Sequence, residues 1–251
     1  MSNSESPRVS VENRSAIAIS EPIAILAHEL RNPIGAIRSA VKVMESAGKL
    51  PGVLDQACRL IGRQVGQLSI LVEDVLDLAS LGRGTLRLRR EWLDVVPEVE
   101  AAVESCSWAL TDYGHSLCIQ VPDVPLYAYI DAARLRQVIT KLLDNACKYT
   151  QLFGRIRLSL DRTGDHAVLS VVDNGAGIAS DRLPYVFDLF TRSTAGSEGT
   201  TPGLGIGLAL VREIVELHGG YVEARSGGPG CGSAFIVRIP ACHPTLSVPE
   251  P

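Results

Sequence analysis

The 251-residue chain has no apolar run approaching the ~20 residues that a membrane-crossing helix needs. Its polar start, "MSNSESPRVSVENRS", carries no signal-peptide core, so a cytoplasmic chain with no membrane segment is expected. Cys-x-x-Cys pairs are missing as well. The six cysteines, Cys58, Cys106, Cys118, Cys147, Cys231 and Cys242, are scattered, which argues against a zinc site and a disulfide framework and fits a reducing compartment. Positive charge is not in excess: Lys plus Arg number 24 against 28 for Asp plus Glu, a net charge of −4. Without the basic stripe that binding a phosphate backbone requires, no nucleic-acid partner is expected. What remains is an ordinary globular composition, 46% hydrophobic, enough for one large domain or two modest ones.

The first third reads as two helices. Apolar residues at Ile23, Leu26, Leu30, Ile34, Ile37, Val41 and Met44 step by three or four, and after "SAGKLPG" the rhythm returns at Leu54, Cys58, Ile61, Val65, Leu68, Val72 and Val75. The pattern predicts an antiparallel hairpin over residues 18–82, behind a flexible segment 1–17. A lone hairpin with narrow apolar stripes buries too little surface for stability. Two copies should therefore pair as a four-helix bundle, a homodimer.

Within the first helix stands "LAHELRNPIGAIR". At about 100° per residue, His28 points away from the stripe and Asn32, one turn on, shares its face. Pro33 removes the hydrogen bond to the Glu29 carbonyl and should bend the helix there. The plain alternative is an exposed surface histidine. Its neighbour favours chemistry, because a carboxylate such as Glu29 can accept the ring proton and leave the other imidazole nitrogen free to attack.

From residue 83 the pattern changes to a mixed α/β domain, expected over 83–242 with a tail at 243–251. Alternation in "TLRLRREW" is followed by a helical stretch from Pro97 to Tyr113, strands near "HSLCIQV" and "LYAYI", and a long helix from Asp131 to Tyr149. Strands "RIRLSL" and "HAVLSVVD", the loop "NGAGI", a helix opened by "GLGIG", and strands "YVEARS" and "SAFIVRIP" complete an α/β sandwich. The class is thus α+β: helical hairpin, then sandwich. Gly203, Gly205 and Gly207 would let backbone amides approach anionic oxygens at a helix N-terminus, as a triphosphate requires. Neither a P-loop nor a dinucleotide spacing is present, and a tight helix entry on the sheet is the alternative. His218, before "GG", reads as a structural C-terminal cap; His115, His166 and His243 read as surface or strand residues.

Taken together, "HELRNP", "DNACKYT", "DNGAGI", "FDLFTR" and "GLGIGLAL", in that order over residues 18 to 240, resemble the sensor histidine kinases of two-component signalling. The resemblance implies a dimerisation and phosphotransfer hairpin followed by the Bergerat (GHKL) ATP-binding sandwich of gyrase-type and chaperone-type ATPases. It implies His28 as phosphoacceptor, Glu29 as its general base, and Asn32 as the residue orienting a water in the reverse, phosphatase, reaction. Asn145 matches the Mg²⁺ ligand, Lys148 a phosphate contact and Tyr149 a contact with the base. Asp173 matches the carboxylate that accepts the adenine amino group, with Gly175 and Gly177 passing close to the ring. "TRSTAGSEGTTP", from Thr191 to Pro202, would be a lid carrying Arg192 near the phosphates, with Phe187 and Phe190 as packing anchors.

The implied function is ATP-dependent and Mg²⁺-dependent autophosphorylation of His28, with transfer to an aspartate on the receiver domain of a separate response regulator. A nucleotide-binding scaffold or phosphatase with little kinase activity is the alternative, and a gyrase-like or chaperone-like ATPase a third. Only about 20 residues precede the hairpin, so the stimulus would come from another protein or from an upstream part of a longer one. One position departs from the family pattern: "KLLDNA" has Lys141 where relatives usually carry asparagine, one turn before Asn145. Its ammonium could repel Mg²⁺, pair with phosphate oxygens, or swing into solvent.

Overall fold

A computed structural model of the chain describes residues 27, 30–46, 51–82, 86–191 and 205–242. His28, Glu29, Arg192, Gly203 and His243, together with the expected N-terminal segment, the lid beyond Thr191 and the C-terminal tail, lie outside the described residues. The chain forms two compact units, which part between Asp77 and Leu78.

The first unit is helical. Residues 30–46 form α1, which runs on through Pro33, and α2 spans Pro51–Gly82. Ala40, Ala57 and Leu71 are buried, whereas Ile34, Val41, Val65 and Val72 stay 40% to 54% exposed. The buried residues are therefore not those of the expected stripe: each stands one position before a stripe residue, Val41, Cys58 or Val72, that is exposed. No described helix is long and apolar enough to cross a membrane.

The second unit is a sheet with helices on one face. Its strands are β1 (Glu91–Asp94), β2 (Ser116–Gln120), β3 (Tyr127–Ile130), β4 (Arg155–Thr163), β5 (His166–Asp173), β6 (Tyr221–Arg225) and β7 (Ser233–Cys242). The order is β1-β3-β7-β5-β4-β2, with β6 on β7, and only β2 and β4 run parallel. β7 shares one edge between two partners: residues 234–238 pair with β6 and residues 241–242 with β3.

Strict alternation in β5 buries Ala167, Leu169 and Val171 on one face only. Against that face pack α3 (Val95–Asp112), α4 (Ala132–Tyr149) and α5 (Gly207–Leu217), through Val99, Leu142, Leu143, Leu210 and Ile214. The opposite face is polar, with Ser159 and Ser170 hydroxyls 2.8 Å apart and Arg238 2.6 Å from Glu223.

Helix ends follow local chemistry. The Asp94 carboxylate accepts from the Val96 and Leu126 amides, so α3 starts two residues before Pro97. Asp131 caps α4 by accepting from the Arg134 amide and takes a second amide, that of Arg89, at 2.8 Å. Residues 86–90 form no strand, and the alternation there becomes β1 only from Glu91. His218 ends α5 as expected and does more: its Nδ1–H donates to the Ile214 carbonyl at 2.7 Å while Nε2 accepts from the Asp131 amide at 3.0 Å. The ring thereby ties the end of α5 to the start of α4, and this bonding requires it neutral. His115 departs from expectation, being buried, with Nε2 at 3.2 Å from the Cys147 carbonyl. Its ring stacks on Tyr113, 5.5 Å between centroids, which a position just before an edge strand did not suggest.

Candidate functional site

Of the expected site residues of the second unit, Asp173, Gly175 and Gly177 meet the end of α4, which carries Asn145, Lys148 and Tyr149. Asp173, the last residue of β5, is 6% exposed and its carboxylate is fixed from three sides. The Gly175 amide donates to Oδ1 at 2.8 Å, the Ser233 amide to the same oxygen at 3.3 Å, and the Ser233 hydroxyl to Oδ2. Three donors hold the carboxylate in one orientation, leaving its remaining lone pairs to accept from a ligand.

The loop after Asp173 lies against the end of α4. A Cβ on Gly175 would sit 2.3 Å from the Tyr149 carbonyl oxygen, so no side chain fits there. That carbonyl instead accepts from the Ala176 amide at 2.9 Å. Gly177, at φ +68°, crosses the β6–β7 loop, where a Cβ would meet the Gly228 carbonyl oxygen at 2.1 Å. The two loops are laced together by Gly230 N–H to Ala176 O at 2.7 Å, Gly232 N–H to Gly175 O at 3.2 Å, and the Ser226 hydroxyl accepting from the Ile178 amide at 2.9 Å. The result is a rigid floor with a buried acceptor at its end.

On α4, Asp144, Asn145, Lys148 and Tyr149 are all half-buried at the edge of this floor. Among the described residues the Asn145 amide has no hydrogen-bond partner. Lys148 lies 2.6 Å from Asp144, one turn back. Cys147, in the same motif, points into the core; burial, with Asp144 close by, pushes its thiol up to about 12, so it packs and does not react. At the start of α5, the Gly205 carbonyl accepts from the Phe190 amide at 2.9 Å, and Gly207 is the first helical residue. Phe187 packs edge-on against Phe235, centroids 6.2 Å apart, which anchors the "FDLFTR" segment in the core.

Ser233 escaped the reading of the sequence. It stands opposite Asp173 in the β5–β7 register, a pairing that depends on contacts between strands 60 residues apart. Thr150, the last residue of "DNACKYT", is buried, and among the described residues its hydroxyl has no partner. In the other unit, Asn32 is exposed on α1.

Comparison with known proteins decides the family. Residues 18–84 match the model of the His Kinase A (phospho-acceptor) domain, and residues 130–243 that of the histidine kinase-, DNA gyrase B-, and HSP90-like ATPase. The chain belongs to the sensor histidine kinases of two-component systems. Sensor histidine kinase TrcS of Mycobacterium tuberculosis is 35% identical over 85% of this chain and 42% of its own length. Signal transduction histidine-protein kinase AfsQ2 of Streptomyces coelicolor is 29% identical over 87% and 41%, so this sensor histidine kinase chain spans less than half the length of either relative. Among solved structures, the Acinetobacter baumannii histidine kinase AdeS superposes with a TM-score of 0.61 at 26% identity, over 86% of this chain and 98% of that one.

The ATPase-type half carries nucleotide binding with it, and the residues fit such a ligand: a buried, oriented carboxylate, glycines where a Cβ would collide, and an unpartnered half-buried amide. No cluster of three His, Cys, Asp or Glu side chains among the described residues would hold a metal alone. An amide oxygen together with phosphate oxygens is nonetheless the hard, oxygen-only donor set that Mg²⁺ takes.

Proposed function

We propose that this chain is the catalytic core of an ATP-dependent protein-histidine kinase that phosphorylates its own His28 and passes the phosphoryl group to an aspartate on a separate response regulator. The observation that carries the reading is Asp173, a buried carboxylate clamped by Ser233 and Gly175 in a cleft floored by glycine loops. Its free lone pairs match the exocyclic amino group of adenine. Gly175, Gly177 and Tyr149 would bound the ring, and Asn145 would hold Mg²⁺, which would neutralise phosphate charge. Lys148 would exchange part of its pairing with Asp144 for phosphate oxygens, and Gly203, Gly205, Gly207 and Arg192 would contribute to the same phosphate site.

His28 supplies the electron pair: the bond from its imidazole nitrogen to the γ-phosphorus forms as the bond to the ADP oxygen breaks, while Glu29 takes the ring proton. Two copies associate through the helical unit, where Ile34, Val41, Val65 and Val72 remain to be covered. Titration of the purified chain with ATP and with GTP tests the nucleotide half of this reading. Guanine presents a carbonyl oxygen where adenine presents its amino group, so Asp173 should favour ATP by at least about tenfold. Equal affinities, or no binding, contradict it.

A further inference from the structure

The end of α4 carries Asn145, Lys148 and Tyr149, and an α-helix leaves its last four carbonyls without partners inside the helix. Here those of Ala146, Cys147 and Tyr149 are all taken. The Thr150 amide donates to Ala146 at 3.1 Å, and the Ala176 amide, from the loop after Asp173, donates to Tyr149 at 2.9 Å. Cys147 is met by a side chain 32 residues back: Nε2 of His115 lies 3.2 Å from its carbonyl oxygen. A carbonyl only accepts, so Nε2 carries the proton and donates. The turn is thus gripped from two sides, through Tyr149 by the nucleotide floor and through Cys147 by His115.

His115 is itself held in place. It is buried, and its ring lies flat on that of Tyr113, with centroids 5.5 Å apart and planes within 8°. The backbone around it is bonded on both flanks: its own amide donates to the Leu110 carbonyl at 2.9 Å, and the Ser116 amide donates to the Gly154 carbonyl at 3.0 Å. Gly114, between the two rings, stands at φ +65°, and a Cβ there would lie 2.7 Å from a ring carbon of Phe153. Tyr113 bears on the same turn of α4. Burial raises its hydroxyl above the ordinary 10, and the Lys148 ammonium is near enough to work the other way.

We propose that His115 is a positioning residue of the nucleotide site: by holding the Cys147 carbonyl it sets the direction in which Asn145 and Lys148 present an amide and an ammonium to the metal and the phosphates. This rests on the nucleotide reading above. His115 touches no ligand and acts only through α4. Its effect therefore falls on the phosphate and metal half of the site, because Asp173 and Gly175 are fixed by Ser233 and the β6–β7 loop through bonds that do not involve His115.

Calorimetric titrations with ADP plus Mg²⁺ and with adenosine, which lacks phosphates, test this on the wild-type chain, His115→Phe and His115→Gln, alongside melting temperatures. Phe keeps a ring against Tyr113 but has no donor, whereas Gln offers an amide N–H at a reach similar to that of Nε2. His115→Phe leaves a buried carbonyl unpaired and should melt at a lower temperature. Well below that temperature it should bind ADP with Mg²⁺ about tenfold more weakly than wild type, with adenosine affinity changed by less than about twofold. His115→Gln should recover most of the ADP affinity. Equal losses for the two ligands, or a lowered melting temperature with unchanged ADP affinity, would overturn the proposal and leave His115 serving the fold alone. So would a Gln variant no better than Phe, since the hydrogen bond would then not be what positions the turn. Should His115→Phe fail to fold, Tyr113→Leu makes the same comparison by removing the stacked ring: ADP with Mg²⁺ should bind about threefold more weakly and adenosine unchanged, and no difference between the ligands overturns the proposal. Failure of the wild type to bind either ligand would overturn the nucleotide reading itself.

Discussion

Two polar residues of the site, Asp173 and Asn145, illustrate opposite ways of meeting a ligand. Asp173 is bonded by three protein donors and is rigid before anything binds, whereas the Asn145 amide has no partner among the described residues and is left for the ligand to complete. Gly175→Ala should test the floor between them: with the Tyr149 carbonyl 2.3 Å from the new methyl, the loop must move, and adenine-nucleotide affinity should fall more than about tenfold. His218 makes a different demand. Burial lowers its pKa from the ordinary 6.5, and its two bonds exist only for the neutral ring. The unfolded chain thus binds the proton more readily, so this stabilisation is complete above pH 6.5 and fades as pH falls toward the folded-state value. Melting curves between pH 8 and pH 5 should show wild type losing more stability than His218→Gln, by at most about 1.4 kcal/mol per pH unit, and the variant should be about 1–3 kcal/mol less stable at neutral pH. Parallel curves would mean the ring does not titrate differently in the folded state. Asn32, exposed on α1, cannot titrate and is suited to positioning a water; Asn32→Ala should keep autophosphorylation and lose dephosphorylation of the partner, read from the decay of labelled response regulator. Equal loss of both activities contradicts that role.

Among the elements, those with an unbroken pattern were legible in the sequence. β5 spans the same residues as "HAVLSVVD" because strict alternation leaves one register that buries its apolar face. The helix ending in "DNACKYT" was equally plain, since Asp131 is a ready N-cap. What could not be read depended on distant partners. α3 begins earlier than Pro97 suggests because Asp94 reaches the amide of Leu126 as well as that of Val96, and β4 runs on to Thr163 because β5 pairs with it from Ile156 to that residue. His115 looked superficial for the same reason: the carbonyl that meets it belongs to Cys147, 32 residues away. In the helical unit periodicity found the helices but not the face they bury: Ala40, Ala57 and Leu71, outside the expected stripe, are buried, and Val65 and Val72, within it, are left 50% and 54% exposed. Those leftover side chains should meet a second copy. Val65→Glu with Val72→Glu should raise the dimer dissociation constant more than a hundredfold, roughly 3 kcal/mol, because each places a charge in an apolar seam. Sedimentation showing an unchanged dimer would place the interface elsewhere.

At the scale of the whole molecule, the chain joins a helical unit carrying a histidine to an ATPase-type unit. The motifs that carry the resemblance are local in the sequence: a His-Glu pair at adjacent positions, an Asn-x-x-Lys at the end of α4, glycines next to the aspartate they accompany. Ser233, which orients that aspartate, became visible only through the sheet register. The account depends most directly on His28 as the atom that receives the phosphoryl group. Incubating the purified chain and its His28→Gln variant with γ-labelled ATP and Mg²⁺, then treating with acid and with base, measures this. A phosphohistidine is lost in acid and survives base, so the account predicts acid-labile, base-stable label on the wild type and none on the variant; label of the same kind on His28→Gln would contradict it.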